Sequence, residues 1–305
     1  MHIHFLQNKE IDKARWDDVI RNSSNGLIYG WSIYLDHLCP GWSALVNDDY
    51  SLLMPLTHRK KFGITYLYQP PFCQQLGIFG TAVITETVVA DFITACKKHF
   101  SFGEIFINHA NGGSGQESVA ACKNYILRLQ NGYDDIKKDY TVSLQKNSLN
   151  RIKKFDLQYV LGNDVEKVIN FSKQLYGQRV PHVTDNDYET FIKLCVQLYN
   201  MGYAFTREVK LPDGELLASG VFLKDEKRIY NLISATPPNG RIFEANHLLF
   251  DRLIQEFAGT GLVLDFEGSD IPGIAHFYRK FGAINEPYYF LKWNELPWPA
   301  RLVKK

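Results

Sequence analysis

The stretch that decides the fold is SATPPNGRIFEANHLLFDRLIQEFAGTGLVLDFEGSDIPGIAHFYRKFGA, Ser234–Ala283. It opens as the end of a strand, and Pro237-Pro238-Asn239-Gly240 then turns the chain. A long amphipathic helix is predicted from Phe243 to Phe257, with Ala245, Leu248, Leu249, Leu253 and Ile254 at helical spacing on one face. Gly259 and Gly261 end it. A buried strand at Leu262–Phe266 and a helix at Ile274–Phe281, stopped by Gly282, complete the unit. Glu267 and Ser269 follow that strand directly, at the sheet edge where α/β folds place their ligands. Glu267 suits a general base, or equally a carboxylate that caps the next helix or pairs with Arg241. At the start of the long helix, free amides of Gly240, Arg241 and Ile242, with the Arg241 charge, would hold an anionic group. An ordinary strand–turn–helix junction is the competing reading.

Upstream, three successive strands are expected at Tyr203–Lys210, Glu215–Lys224 and Arg228–Ala235. Pro212-Asp213-Gly214 makes the first turn, because proline fixes φ, aspartate caps and glycine accepts positive φ. Two helices precede them, around Val165–Leu175 and Tyr188–Leu198, and a strand at Tyr288–Trp293 closes the chain. The first half alternates likewise. Helices are predicted at Ala14–Ile20, Ser32–Leu38, Thr85–Phe100 and Glu117–Leu129. Strands are predicted at Trp42–Val46, Tyr50–His58, Ile64–Tyr68 and Glu104–Asn108. A polar stretch at Asn131–Asp139, before a strand at Tyr140–Leu144, sets the expected boundary: residues 1–138 and 139–305. The class is α+β, with two αβ halves of similar size.

Composition narrows the function. With 305 residues the chain has room for two domains, each typically about 100–200 residues. The 34 Lys and Arg against 33 Asp and Glu exclude a dominant phosphate-binding surface, though local basic patches such as Lys146, Arg151, Lys153 and Lys154 are compatible with it. No run reaches the roughly 18–20 apolar residues of a membrane span, and the first ten residues lack a signal-peptide pattern. Five scattered cysteines, none in C-x-x-C spacing, fit reduced thiols, and the expected location is cytoplasmic.

Several motifs are absent. Asn108–Gly115 is glycine-rich between a strand and a helix, but its spacing is not G-x-G-x-x-G and no G-K-[ST] follows. No His pair has the spacing of a metal site on one helix, and no G-x-S-x-G elbow occurs, so no metal is expected. The run Tyr66-Leu67-Tyr68-Gln69-Pro70-Pro71-Phe72-Cys73-Gln74-Gln75 carries polar groups, and Tyr68, Gln69 and Gln75 would line a substrate pocket. Its aromatics could equally pack as a strand leaves the sheet.

The order of three strands, an Asn-Gly-Arg turn, helix, strand and the helix His276-Phe277-Tyr278-Arg279-Lys280-Phe281-Gly282 resembles the GNAT acyltransferase fold. Gly41–Val46 and Tyr66–Pro70 look like the partner half of tandem GNAT proteins, which include the Fem-type peptidoglycan aminoacyl transferases. The resemblance implies two tandem GNAT-like domains, each a mixed central sheet flanked by helices. It implies an acyl-CoA pyrophosphate at Gly240, Arg241 and Ile242, acceptor-side residues at Glu267 and Ser269, and Tyr278 as the acid that protonates the leaving group. The implied activity is transfer of an acyl group from acyl-CoA to a small-molecule amine. The alternatives are a Fem-type aminoacyl transferase taking its group from charged tRNA to a cell-wall precursor, or a non-catalytic GNAT-fold binding protein. Near-zero net charge ranks acyl-CoA ahead of tRNA. One departure stands out: Pro237 and Pro238 remove two amide donors from the expected pyrophosphate loop, and its second small residue is missing.

Overall fold

A computed structural model of the chain describes residues 1–112, 119–268, 270–298 and 301. In order, the first elements are β1 (Ile3–Leu6), α1 (Lys13–Asn22), α2 (Ser32–Leu38), β2 (Ser43–Asn47), β3 (Leu52–Leu56), β4 (His58–Lys61) and β5 (Ile64–Tyr68). Then come β6 (Phe79–Gly80), α3 (Glu86–His99), β7 (Phe102–Ile107), β8 (Val119–Cys122), β9 (Asn124–Arg128) and α4 (Tyr133–Lys138). A π-helical turn at Ser143–Leu149 runs into α5 (Asn150–Ile152), followed by β10 (Gln158–Gly162), α6 (Val165–Tyr176) and α7 (Asp185–Asn200). The three expected strands are β11 (Ala204–Lys210), β12 (Leu216–Lys224) and β13 (Arg228–Ala235). The chain continues through α8 (Pro238–Ile242), α9 (Ala245–Phe257), β14 (Val263–Gly268), α10 (Pro272–Arg279), β15 (Ile284–Asn285) and β16 (Tyr288–Asn294).

Two compact units result: Met1–Lys123 with Pro287–Lys305, and Asn124–Glu286. The junctions therefore lie at 123/124 and 286/287, whereas the sequence placed one at 138/139. The difference has a pairing origin. Strand β16, last in the chain, is antiparallel to both β7 and β8 of the first unit. Strand β9 sits between β14 and β15 of the second. Each strand thus draws its flanking segment into the unit whose ladder it completes.

The first unit has two sheets rather than one, in the orders β1-β2-β3-β6 and β4-β5-β7-β16-β8. Helix α3 covers a core with Val89, Phe92, Ile93 and Cys96, spaced to share one helical stripe. The fully buried Trp16, Trp31 and Trp42 fill the space around α1 and α2, and the Trp16 indole N–H donates to the Gly30 carbonyl at 2.8 Å. All five cysteines are thiols.

The second unit is built on a seven-stranded sheet, β10-β11-β12-β13-β14-β9-β15. Its pairs are antiparallel except β13–β14. Helix α9 packs Ala245, Leu248, Leu249, Phe250, Leu253 and Ile254 against a core that includes Leu217, Phe222, Leu264 and Phe266.

Three expectations need correction. The helix expected at Glu117–Leu129 is two strands over its described part, 119–129: Asn124 to Leu127 are buried in succession, as a strand paired on both edges requires, and a short apolar run cannot tell that from a buried helix. The strand expected at Tyr140–Leu144 is helical from Ser143, because Leu144, Leu149 and Ile152 recur at near-helical spacing toward the core. The single helix expected from Phe243 is preceded by a separate turn of helix, since Glu244 adopts φ +54 between α8 and α9.

Candidate functional site

The second unit's parallel pair creates the site. Strands β13 and β14 pair at Arg228–Val263, Ile229–Leu264 and Tyr230–Asp265 and then separate. The cause is visible on β13's other edge. Between Val221–Ile233 and Leu223–Tyr230, β13 advances three residues while β12 advances two, so β13 carries a bulge at Asn231–Leu232. Past that point the Asn231 amide crosses to β14, donating to the Phe266 carbonyl at 3.4 Å. An asparagine in the middle of a largely buried strand was in plain sight in Arg228–Ala235, yet sequence reasoning passed over it.

Below the split the strands are locked by a buried charge network. Asp265, 1% exposed, accepts from Arg228 Nη1 at 3.0 Å and from Asn124 Nδ2 at 3.2 Å. Arg228 Nη2 lies 2.7 Å from Glu286. Burial raises the Asp265 pKa, and the Arg228 charge opposes that rise. The second oxygen of Asp265 accepts from the Glu267 backbone N–H at 3.0 Å. Glu267 needs that support, because its φ is +67, a conformation in which a side chain is strained. The carboxylate network therefore holds Glu267 in the left-handed region at the carboxyl end of β14.

Helix α10 brings Tyr278 to the same place. Its ring stacks on Phe266 at 4.8 Å and tilts against Tyr125 at 6.2 Å. Burial, and then the Glu267 charge, push its pKa well above the ordinary phenol range, so the hydroxyl is a retained proton at neutral pH. The Asn231 side chain acts against that rise. Phe266 is the common point: Tyr278 stacks on its ring, Asn231 donates to its carbonyl and Glu267 follows it in the chain. Ser269 lies outside the described residues.

The other expected binding residues have different surroundings. Gly240 is buried within α8, and a Cβ there would lie 1.8 Å from the Leu217 carbonyl oxygen, so the glycine permits close packing on β12. The expected free amide of Arg241 is not free: it donates to the Pro237 carbonyl at 3.2 Å, completing the α8 turn. The Arg241 guanidinium reaches the Tyr176 hydroxyl at 3.4 Å, and that hydroxyl donates to the Thr236 carbonyl at 2.8 Å. Ile242 is 60% exposed. In the first unit, Gln69 uses both ends of its amide on backbone, donating to the Cys73 carbonyl at 2.8 Å and accepting from the Phe106 N–H at 3.1 Å. Gln75 is buried and donates to Gln74 at 2.7 Å. Tyr68 is half-buried with the Arg59 guanidinium 4.5 Å from its ring. Among the described residues no cluster of His, Cys, Asp and Glu could hold a metal ion, and no helix is long and apolar enough to cross a membrane.

No protein-family model matches the chain, and no curated protein matches it. Solved structures do. FemX superposes over 100% of both chains with a TM-score of 0.71 at 12% identity. A conserved protein of unknown function from Bacteroides thetaiotaomicron VPI-5482 covers 95% of this chain and 99% of its own, with a TM-score of 0.62 at 10% identity. L-PGS from Bacillus licheniformis covers 88% and 90%, with a TM-score of 0.52 at 12% identity. The chain shares its fold with these structures. In GNAT-like order, β13, the 237–242 segment, α9, β14 and α10 are the elements that carry the expected donor site. The 237–242 segment does not suit a pyrophosphate: two prolines have no N–H, the Arg241 amide is bonded, and Gly240 backs onto β12.

Proposed function

We propose that the second unit transfers an acyl group to an amine acceptor, with the parted ends of β13 and β14 as its reaction site. The observation that carries this reading is the convergence on Phe266, at the split, of the Tyr278 ring and the Asn231 amide, with Glu267 next in the chain. The amine nitrogen attacks the acyl carbonyl carbon as the Glu267 carboxylate accepts its proton. The tetrahedral intermediate then expels the leaving group, which takes the Tyr278 proton; Glu267 gives its proton up to solvent and the phenolate takes one back, which restores both groups. Asn231 positions the Tyr278 hydroxyl and does not itself react.

Acyl-CoA is the simplest donor for this chemistry, and a small amine its acceptor. A second donor is favoured by Pro237 and Pro238. A Fem-type aminoacyl ester on tRNA, moved to a cell-wall precursor, has no need of the pyrophosphate loop that these prolines remove. The test is mass spectrometry of an amine panel and a cell-wall precursor, incubated with acetyl-CoA or with charged tRNA, using wild type and Glu267→Gln. Acylated product with either donor, lost in the variant, supports the reading and names the donor. No product with either donor favours a non-catalytic binding protein.

A further inference from the structure

The first unit holds a cleft of about 620 Å³ that the acyl-transfer reading does not use. Its walls come from four separate places in the sequence: β1 with the turn after it, the start of β2, the β4–β5 hairpin, and the end of α3. The volume falls within the roughly 300–1,000 Å³ of small-molecule sites. We propose that this cleft binds a small carboxylate carrying a planar or aromatic group.

Two features define that chemistry. One is a wall of rings. Phe5 stacks on His99 at 4.1 Å and lies 6.4 Å from Phe100, and Phe100 lies 5.5 Å from His58. Such a wall takes a flat apolar body, because offset and tilted rings gain energy beyond simple burial. The other is a one-sided set of polar groups. Lys9 is exposed at the cleft and forms no ion pair among the described residues. Ser43 Oγ lies 3.1 Å from His58 Nε2, and burial lowers the His58 pKa, so the ring is neutral at pH 7. If Ser43 donates to Nε2, the Nδ1–H of His58 remains as a donor. Among the described residues no Asp or Glu lines the cleft. A single cation, neutral donors and no carboxylate select an acceptor-rich anion over a cation or a neutral amide. The Ser43–His58 pair has no third group to orient the imidazole, so the cleft is assigned binding and not turnover.

The test is calorimetric titration of the full chain with 3-phenylpropionate, 3-phenylpropionamide and phenethylamine. Binding of the carboxylate, weakened about tenfold or more in the amide and absent in the amine, is expected from the charge-assisted contact with Lys9. Lys9→Glu, at an exposed position that leaves the fold intact, should abolish carboxylate binding. His58→Trp, which fills the cleft, should abolish it as well. A circular-dichroism melt of each variant separates lost binding from lost folding. Equal binding of acid and amide, indifference to Lys9→Glu, or no binding of the carboxylate at about millimolar concentration would overturn the proposal.

Discussion

Gly240→Ala separates a glycine kept for close packing from one kept to expose an amide. A Cβ at this position would lie 1.8 Å from the Leu217 carbonyl oxygen, 2.8 Å from its carbon and 3.0 Å from a Thr236 methyl. The first two are backbone atoms of β12, a central strand that pairs on both sides, so they cannot rotate away. Helix α8 must lift off the sheet or β12 must bend. Such overpacking costs about 1–3 kcal/mol, and the backbone contact places this case at about 3 kcal/mol. For a unit of this size that lowers Tm by roughly 6–12 °C. The matched control is Gly273→Ala in α10, where a Cβ meets nothing within 4 Å and φ is ordinary. Helix propensity should make it more stable by about 0.5–1 kcal/mol. Urea unfolding monitored by far-ultraviolet circular dichroism reads both. Equal midpoints for Gly240→Ala and wild type would refute the packing argument and return Gly240 to the role of an open amide.

Three more outcomes follow from the same geometry. Glu267→Gly should remove the strain of a side chain at φ +67 and raise stability by about 1 kcal/mol in the same urea assay while abolishing turnover. Arg228→Met should leave Asp265 and Glu286 buried without their cation and cost about 3–5 kcal/mol, whereas exchanging all three for apolar residues should cost far less. Burial, aided by Lys280, lowers the His247 pKa from 6.5 to about 4. The unfolded chain therefore takes up a proton as pH falls through 6.5, while the folded one does so only near 4. Stability present above 6.5 is lost across that window, by up to about 3 kcal/mol, and His247→Phe should flatten the slope in melts at stepped pH.

How much of this was legible depended on whether a local signal matched the global fold. Strands β11 to β13 were readable because their turns are local. Asp213 accepts from the Glu215 N–H at 3.0 Å and Gly214 has φ +92, as the Pro-Asp-Gly order requires. Helices α1, α3, α6 and α7 were readable from their apolar stripes. Strand β9 was not, because its partners β14 and β15 lie far along the chain and its Tyr-Ile-Leu run looks alike in either periodicity. The same long-range pairing moved the unit boundary. At the candidate site, Glu267 and Tyr278 were singled out by their position after a buried strand and in a family-like helix. Asp265, Arg228 and Asn231 were missed, since their importance lies in a bulge and a buried network that no spacing rule encodes. Gly240 was read as a donor of an open amide, whereas the structure shows it packed closely on β12, and an Asn-Gly turn serves either purpose.

The central claim is that Glu267 and Tyr278 form an acyl-transfer pair at the parted strands. Its most direct test is the turnover of wild type, Glu267→Gln and Tyr278→Phe with whichever donor supports reaction. The account predicts a fall in kcat of about a hundredfold or more for Glu267→Gln with KM little changed, since a general base acts in the transition state. Wild-type rates in both variants would contradict it.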